Sequence, residues 1–86
     1  MQKIFGEMMH EAREKRGLTR AELAKRVGIS ASYCGDIERG KYTPTWFIWV
    51  KICNELEIDI KSFADKYIKP DLEETAKILG IKLTWQ

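Results

Sequence analysis

Histidine and cysteine are scarce in this chain, one of the first and two of the second among 86 residues. A zinc site needs several such ligands at short spacing. Cys34 and Cys53, with 18 residues between them, form neither a zinc framework nor a disulfide scaffold. Each sits among apolar residues at helical spacing and reads as a buried thiol. His10 falls on a charged helix face and reads as a surface residue. No nucleophile–base pair, phosphate loop or paired-acid motif occurs, so no residue is assigned a catalytic role and no cofactor or metal is expected. Long apolar runs are also missing: none approaches the roughly 20 residues that span a bilayer. The first residues, MQKIFGEMMHEAREK, carry charge where a secretory signal needs an apolar stretch. The expectation is a cytoplasmic protein without a membrane partner.

Charge of one sign is lacking too, since the net value is only +2. Its distribution says more. Residues 1–43 hold nine Lys/Arg against six Asp/Glu, and residues 44–86 hold six against seven. A basic first half and a balanced second half suit a DNA-facing end and a partner-facing end. With 44% hydrophobic and 33% charged residues, the composition is that of one ordered domain with a modest core.

The pattern along the chain is helical. Phe5, Met9 and Ala12 recur on one face over Ile4 to Lys15, and Gly17 closes that helix. Thr19 and Glu22 form a capping box for a second helix, which buries Leu23, Ala24 and Val27 and stops at Gly28. Ser30 caps a third helix, with Cys34 and Ile37 inward and Gly40 at its end. The fourth, Thr45 to Leu56, is apolar on nearly every face. Asp59 starts a fifth helix with Ile60, Phe63, Ala64 and Tyr67 inward. Lys69-Pro70 is expected to break it, because proline disfavours helix in the residue before it. Asp71 then opens a sixth helix, closed by Gly80. The tail, Ile81 to Gln86, alternates as a short strand does, either paired across a two-fold axis or folded as an apolar strap onto its own subunit.

The set Arg13, Gly17-Leu18-Thr19, Glu22-Leu23-Ala24, Val27-Gly28-Ile29-Ser30, Ile37-Glu38-Arg39-Gly40 and Pro44 resembles the helix-turn-helix domain of the phage repressor and Cro family, also called XRE. The resemblance spans Phe5 to Phe63. It implies an all-α fold, a compact five-helix repressor-like bundle, to which this chain adds a C-terminal helix and a short strand. The expected division is residues 1–68 for the DNA-binding domain and 69–86 for an extension that dimerises or covers the core. It also implies that the helix at Ser30–Arg39 enters the major groove of double-stranded DNA.

On that alignment Ala31, Ser32, Tyr33 and Asp36 are the expected base contacts. Thr19, Arg20, Arg39, Lys41, Tyr42 and Thr43 are the expected phosphate contacts, which set register without choosing sequence. Arg13 and Glu38 correspond to an internal ion pair. Trp46, Trp49, Val50 and Cys53 match core positions. Phe47 and Ile48 stand where the family is polar; with Trp85 they are expected at a homodimer seam, or else under the sixth helix. Gly35 and Asp36 are unusual in a reading helix. Glycine there costs about 1 kcal/mol relative to alanine, and a carboxylate repels phosphates. The expected function is a repressor-like regulator bound to a palindromic operator as a homodimer. The alternative is a protein-interaction module or antitoxin of the same fold.

Overall fold

Four of the helices begin where a short polar side chain closes on the backbone just after it. In the computed structural model, which describes residues 2–84, the elements are α1 (Gln2–Lys15), α2 (Arg20–Val27), α3 (Ala31–Glu38), α4 (Trp46–Leu56), α5 (Ile60–Phe63), a π-helical segment (Ala64–Ile68) and α6 (Lys69–Leu79). The Thr19 hydroxyl accepts from the Glu22 N–H at 3.0 Å, while the Glu22 carboxylate accepts from the Thr19 N–H at 3.0 Å. Ser30 caps α3 through the Tyr33 N–H, and Thr45 caps α4 through that of Ile48. Asp59 takes the N–H groups of Lys61 and Ser62 at the start of α5. Such caps are worth about 1 kcal/mol each.

The core gathers side chains from α1 to α5. Phe5 and Met9 of α1 meet Leu23 and Val27 of α2, Cys34 and Ile37 of α3, and Trp49, Ile52, Cys53 and Leu56 of α4. The Phe5 ring lies edge-on to Trp49, with centroids 4.6 Å apart, and 5.1 Å from Phe63. This geometry favours aromatic pairs beyond the area they bury. Trp49 Nε1 is buried without a hydrogen-bond acceptor among the described residues. Burial pushes the thiols of Cys34 and Cys53 up to about 11 and about 12, consistent with packed, unreactive sulfurs.

One contact sets the spacing between α1 and α3. A Cβ on Gly6 would stand 2.4 Å from the Glu38 carbonyl oxygen and 2.6 Å from that of Ile37. Only glycine lets α1 cross the last turn of α3 so closely.

Three expectations need correction. The helix does not break at Lys69-Pro70. Lys69 keeps helical angles, φ −57° and ψ −47°, and its N–H donates to the Ala64 carbonyl five residues back. A proline ring clashes with the carbonyl four residues before it, here Lys66. The wider π turn ahead of Pro70 relieves that clash, so residues 60–79 stay helical and the boundary expected at residue 69 falls inside that run. Second, Trp46 and Val50 are exposed rather than core, and Phe47 is 69% exposed, so α6 does not cover it. α6 makes its main contacts with the π segment instead. Third, residues 81–84 form no strand. They turn back on α6, where the Ile81 N–H bonds the Ala76 carbonyl at 2.8 Å, and Ala76 is buried. Trp85 lies outside the described residues.

Candidate nucleic-acid interface

α2 and α3 are joined by Gly28, Ile29 and Ser30. Gly28 takes φ 86°, and its N–H and that of Ile29 both return to the Ala24 carbonyl. Ile29 tucks against the core and Ser30 caps the next helix. The turn thus joins the two helices through three residues and leaves the first residues of α3 exposed.

Ala31 and Ser32 are exposed on the first turn of α3. Tyr33 is half-buried, its ring 6.2 Å from that of Tyr42, and Lys41 Nζ lies 5.4 Å from the Tyr42 ring centre. Thr43 is exposed beside them. Asp36 and Arg39, expected on bases and on phosphates respectively, are joined to each other: Arg39 Nη2 donates to Asp36 Oδ1 at 2.6 Å. The space where Gly35 lacks a side chain holds the Arg39 guanidinium, whose Nη1 lies 3.0 Å from the place a Cβ would take. Thr19 and Arg20 stand at the start of α2, with the Thr19 hydroxyl occupied by its cap.

The far end of α3 is anchored by Glu38, whose side chain is only 1% exposed. Arg13 of α1 donates from Nε to Oε2 at 2.6 Å and from Nη2 to Oε1 at 3.0 Å. Arg13 also donates from Nη1 to the Leu18 carbonyl at 2.7 Å, tying the loop before α2 into the same joint. Arg20 of α2 adds a bond from Nε to Glu38 Oε1 at 3.2 Å. His10 Nδ1 sits 2.9 Å from the same oxygen, with Nε2 2.8 Å from Glu14. Burial alone would push the Glu38 carboxyl up. The bonds from Arg13, His10 and Arg20 outweigh it and hold the group below its ordinary value. The bond to Glu38 likewise raises Arg13, against the opposing pull of burial.

Sequence reasoning left out three participants here. Gly6 was visible as a glycine inside a helical pattern, which asks for a packing reason. His10 carried a signal in Glu14, four residues on. For Arg20 no local signal exists, since its partner lies on another helix. Among the described residues no cluster of metal-binding side chains occurs, and no helix is long and apolar enough to cross a membrane.

Comparison with known proteins agrees with this geometry. The family described as helix-turn-helix matches residues 9–63. The chain is 31% identical over 58 residues to the ImmF control region 10 kDa protein of Bacillus phage phi105. That match covers 67% of this chain and 64% of the phage protein, so the chain spans less than two thirds of that relative's length. The fold is similar to the crystal structure of the clp gene regulator ClgR from Corynebacterium glutamicum, with a TM-score of 0.66 and 22% identity. That superposition covers 91% of this chain and 88% of the other.

Proposed function

Because this chain belongs to the helix-turn-helix family, we propose that it acts as a repressor-like homodimer on a palindromic operator, the finer form of the DNA-binding transcriptional regulator that family and fold support. The observation that carries the reading is the presentation of α3. Its first turn exposes Ala31 and Ser32, while its last turn is held to α1 and α2 through Glu38. A helix held this way enters the major groove as a fixed probe, with Ala31 against a thymine methyl and Ser32 against a base edge. Thr19 and Arg20 on one side and Lys41, Tyr42 and Thr43 on the other flank it as phosphate contacts. In this role Arg20 exchanges a bond to Glu38 for one to DNA, and Arg13 keeps the buried carboxylate paired.

Two-fold symmetry would set the paired helices about 34 Å apart, one turn of DNA. The expected seam includes Phe47, exposed on α4, and Trp85; Ile48 is half-buried against the core and offers only its outer edge. The relatives are a phage control-region protein and a gene regulator, which favours binding over catalysis and a soluble, cytoplasmic setting. A second reading rests on the surplus apolar surface at Trp46, Phe47, Val50, Leu72, Ile78 and Leu79. It makes the α4 or the α6 surface the seat of a partner protein, as in an antitoxin, with DNA binding secondary.

A gel-shift titration against the DNA upstream of the chain's own gene tests the primary reading. Saturable binding is expected, falling roughly a hundredfold between low and physiological salt as counterions are displaced. Absence of saturable binding to any genomic fragment at low salt would remove it.

A further inference from the structure

Ser32, Gly35, Asp36 and Arg39 recur at the spacing of one helix face; Ser32 and Arg39 are exposed on it, and Gly35 is buried. Two of the four are charged, and they are joined at 2.6 Å. The Asp36 side chain is 18% exposed and that of Arg39 57%, so the carboxylate lies beneath and the guanidinium outside. A Cβ on Gly35 would stand 3.0 Å from Arg39 Nη1, 3.4 Å from Nη2 and 3.5 Å from Cζ. The missing side chain makes the berth in which the guanidinium rests. Arg39 is therefore drawn back along the helix toward its reading end, away from the loop that follows.

We propose that Arg39 reads a guanine, with Asp36 as the residue that positions it and Gly35 as the gap that receives it. This rests on the DNA-binding reading above and deepens it. The guanidinium carries five N–H donors in a planar fork. Asp36 takes one, which leaves four with which to meet the O6 and N7 acceptors of guanine, the commonest specific arginine contact. An arginine held in one rotamer before binding loses less freedom on binding than a loose one. The pairing also answers the difficulty of a carboxylate on a DNA-facing helix. Asp36 is neutralised by Arg39 instead of meeting the phosphates as a bare anion. Arg39 is thereby a base reader where the family resemblance implies a phosphate contact, and Asp36 acts through it.

Selection from a random pool of duplex DNA, with the full chain and its Arg39→Ala, Asp36→Ala and Asp36→Asn variants, tests this. Circular dichroism first establishes that each variant is folded. The wild type is expected to select a motif with a fixed guanine in each half-site. Arg39→Ala loses preference at that guanine by roughly five- to 150-fold, the range of a bidentate contact. Other positions keep their preferences, while affinity for every sequence falls because Asp36 is left as a bare anion. Asp36→Ala relaxes the same position, and Asp36→Asn, which keeps an acceptor for the guanidinium, restores it. Weakening by Arg39→Ala that leaves the preference at that guanine unchanged, with the salt slope reduced by about one, identifies a phosphate contact and overturns the proposal. So does a change of preference at a different base pair in Asp36→Ala, which would make Asp36 a reader itself. If the wild type selects no motif, the DNA-binding reading falls and this one with it; a motif that Arg39→Ala leaves intact sinks this inference alone.

Discussion

A single hydrogen atom in place of a methyl group at position 6 decides how near α1 comes to α3. The atoms facing it are backbone carbonyls of Ile37 and Glu38, which cannot rotate aside as a side chain can. Gly6→Ala is therefore expected to push the helices apart, at the upper end of the 1–3 kcal/mol typical of overpacking. Better helix propensity returns about 1 kcal/mol, leaving a net loss of about 2 kcal/mol in urea denaturation. A variant as stable as the wild type would disprove the close crossing. Gly35 is the opposite case. Its neighbour is the far end of the Arg39 side chain, so the same substitution there displaces a guanidinium and leaves the backbone where it is. Gly35 stood out in the sequence as a helix-interior oddity and Gly6 passed unremarked, but what each one faces lies beyond local pattern. Gly6 meets a backbone far along the chain, and Gly35 meets a side chain whose rotamer is set by Asp36.

At the scale of elements, the starts of α2, α3, α4 and α5 were legible because a cap uses atoms within three residues of each other. The joint among α1, α2 and α3 was legible only in part. Arg13 and Glu38 followed from the resemblance, whereas Arg20 and His10 reach Glu38 only once three helices are assembled. Pro70 misled for a related reason: Lys69 keeps helical angles despite the proline after it, and the π turn ahead of Pro70, which carries the helix on, has no local signature. Because Glu38 titrates below its ordinary value of 4.5 when folded, its contribution to stability is complete above that value. It is lost as the pH falls through the folded value. Thermal unfolding followed by circular dichroism should show the midpoint dropping on acidification below about 4.5, with a steeper fall than in Glu38→Gln. The variant is less stable at neutral pH but lacks the titrating group. Equal acid slopes in the two proteins would exclude Glu38 as the source; the exposed caps Glu22 and Asp59 also titrate low, and both proteins keep them.

Taken whole, the molecule measures 45 × 23 × 19 Å, longer than the bundle of α1 to α5 requires, because α6 continues the fifth helix instead of folding over α4. Two apolar surfaces stay open as a result, one at Trp46, Phe47 and Val50, the other at Leu72, Ile78 and Leu79. The sequence showed that α4 had too much apolar surface for one core, but not which residues would be left out, since that depended on where α6 went. If the α4 surface is the homodimer seam, Phe47→Asp should sediment as a monomer at concentrations where the wild type is a dimer. An unchanged dimer would exclude that seam. Fixing the last turn of α3 twice, by Gly6 against its backbone and by the guanidinium groups around Glu38, carries a consequence for the DNA itself. A reading helix that cannot swing to meet a misplaced half-site leaves adjustment to the duplex. On the proposed operator, the base pairs between half-sites would then be chosen by how cheaply they twist and bend, although no side chain touches them.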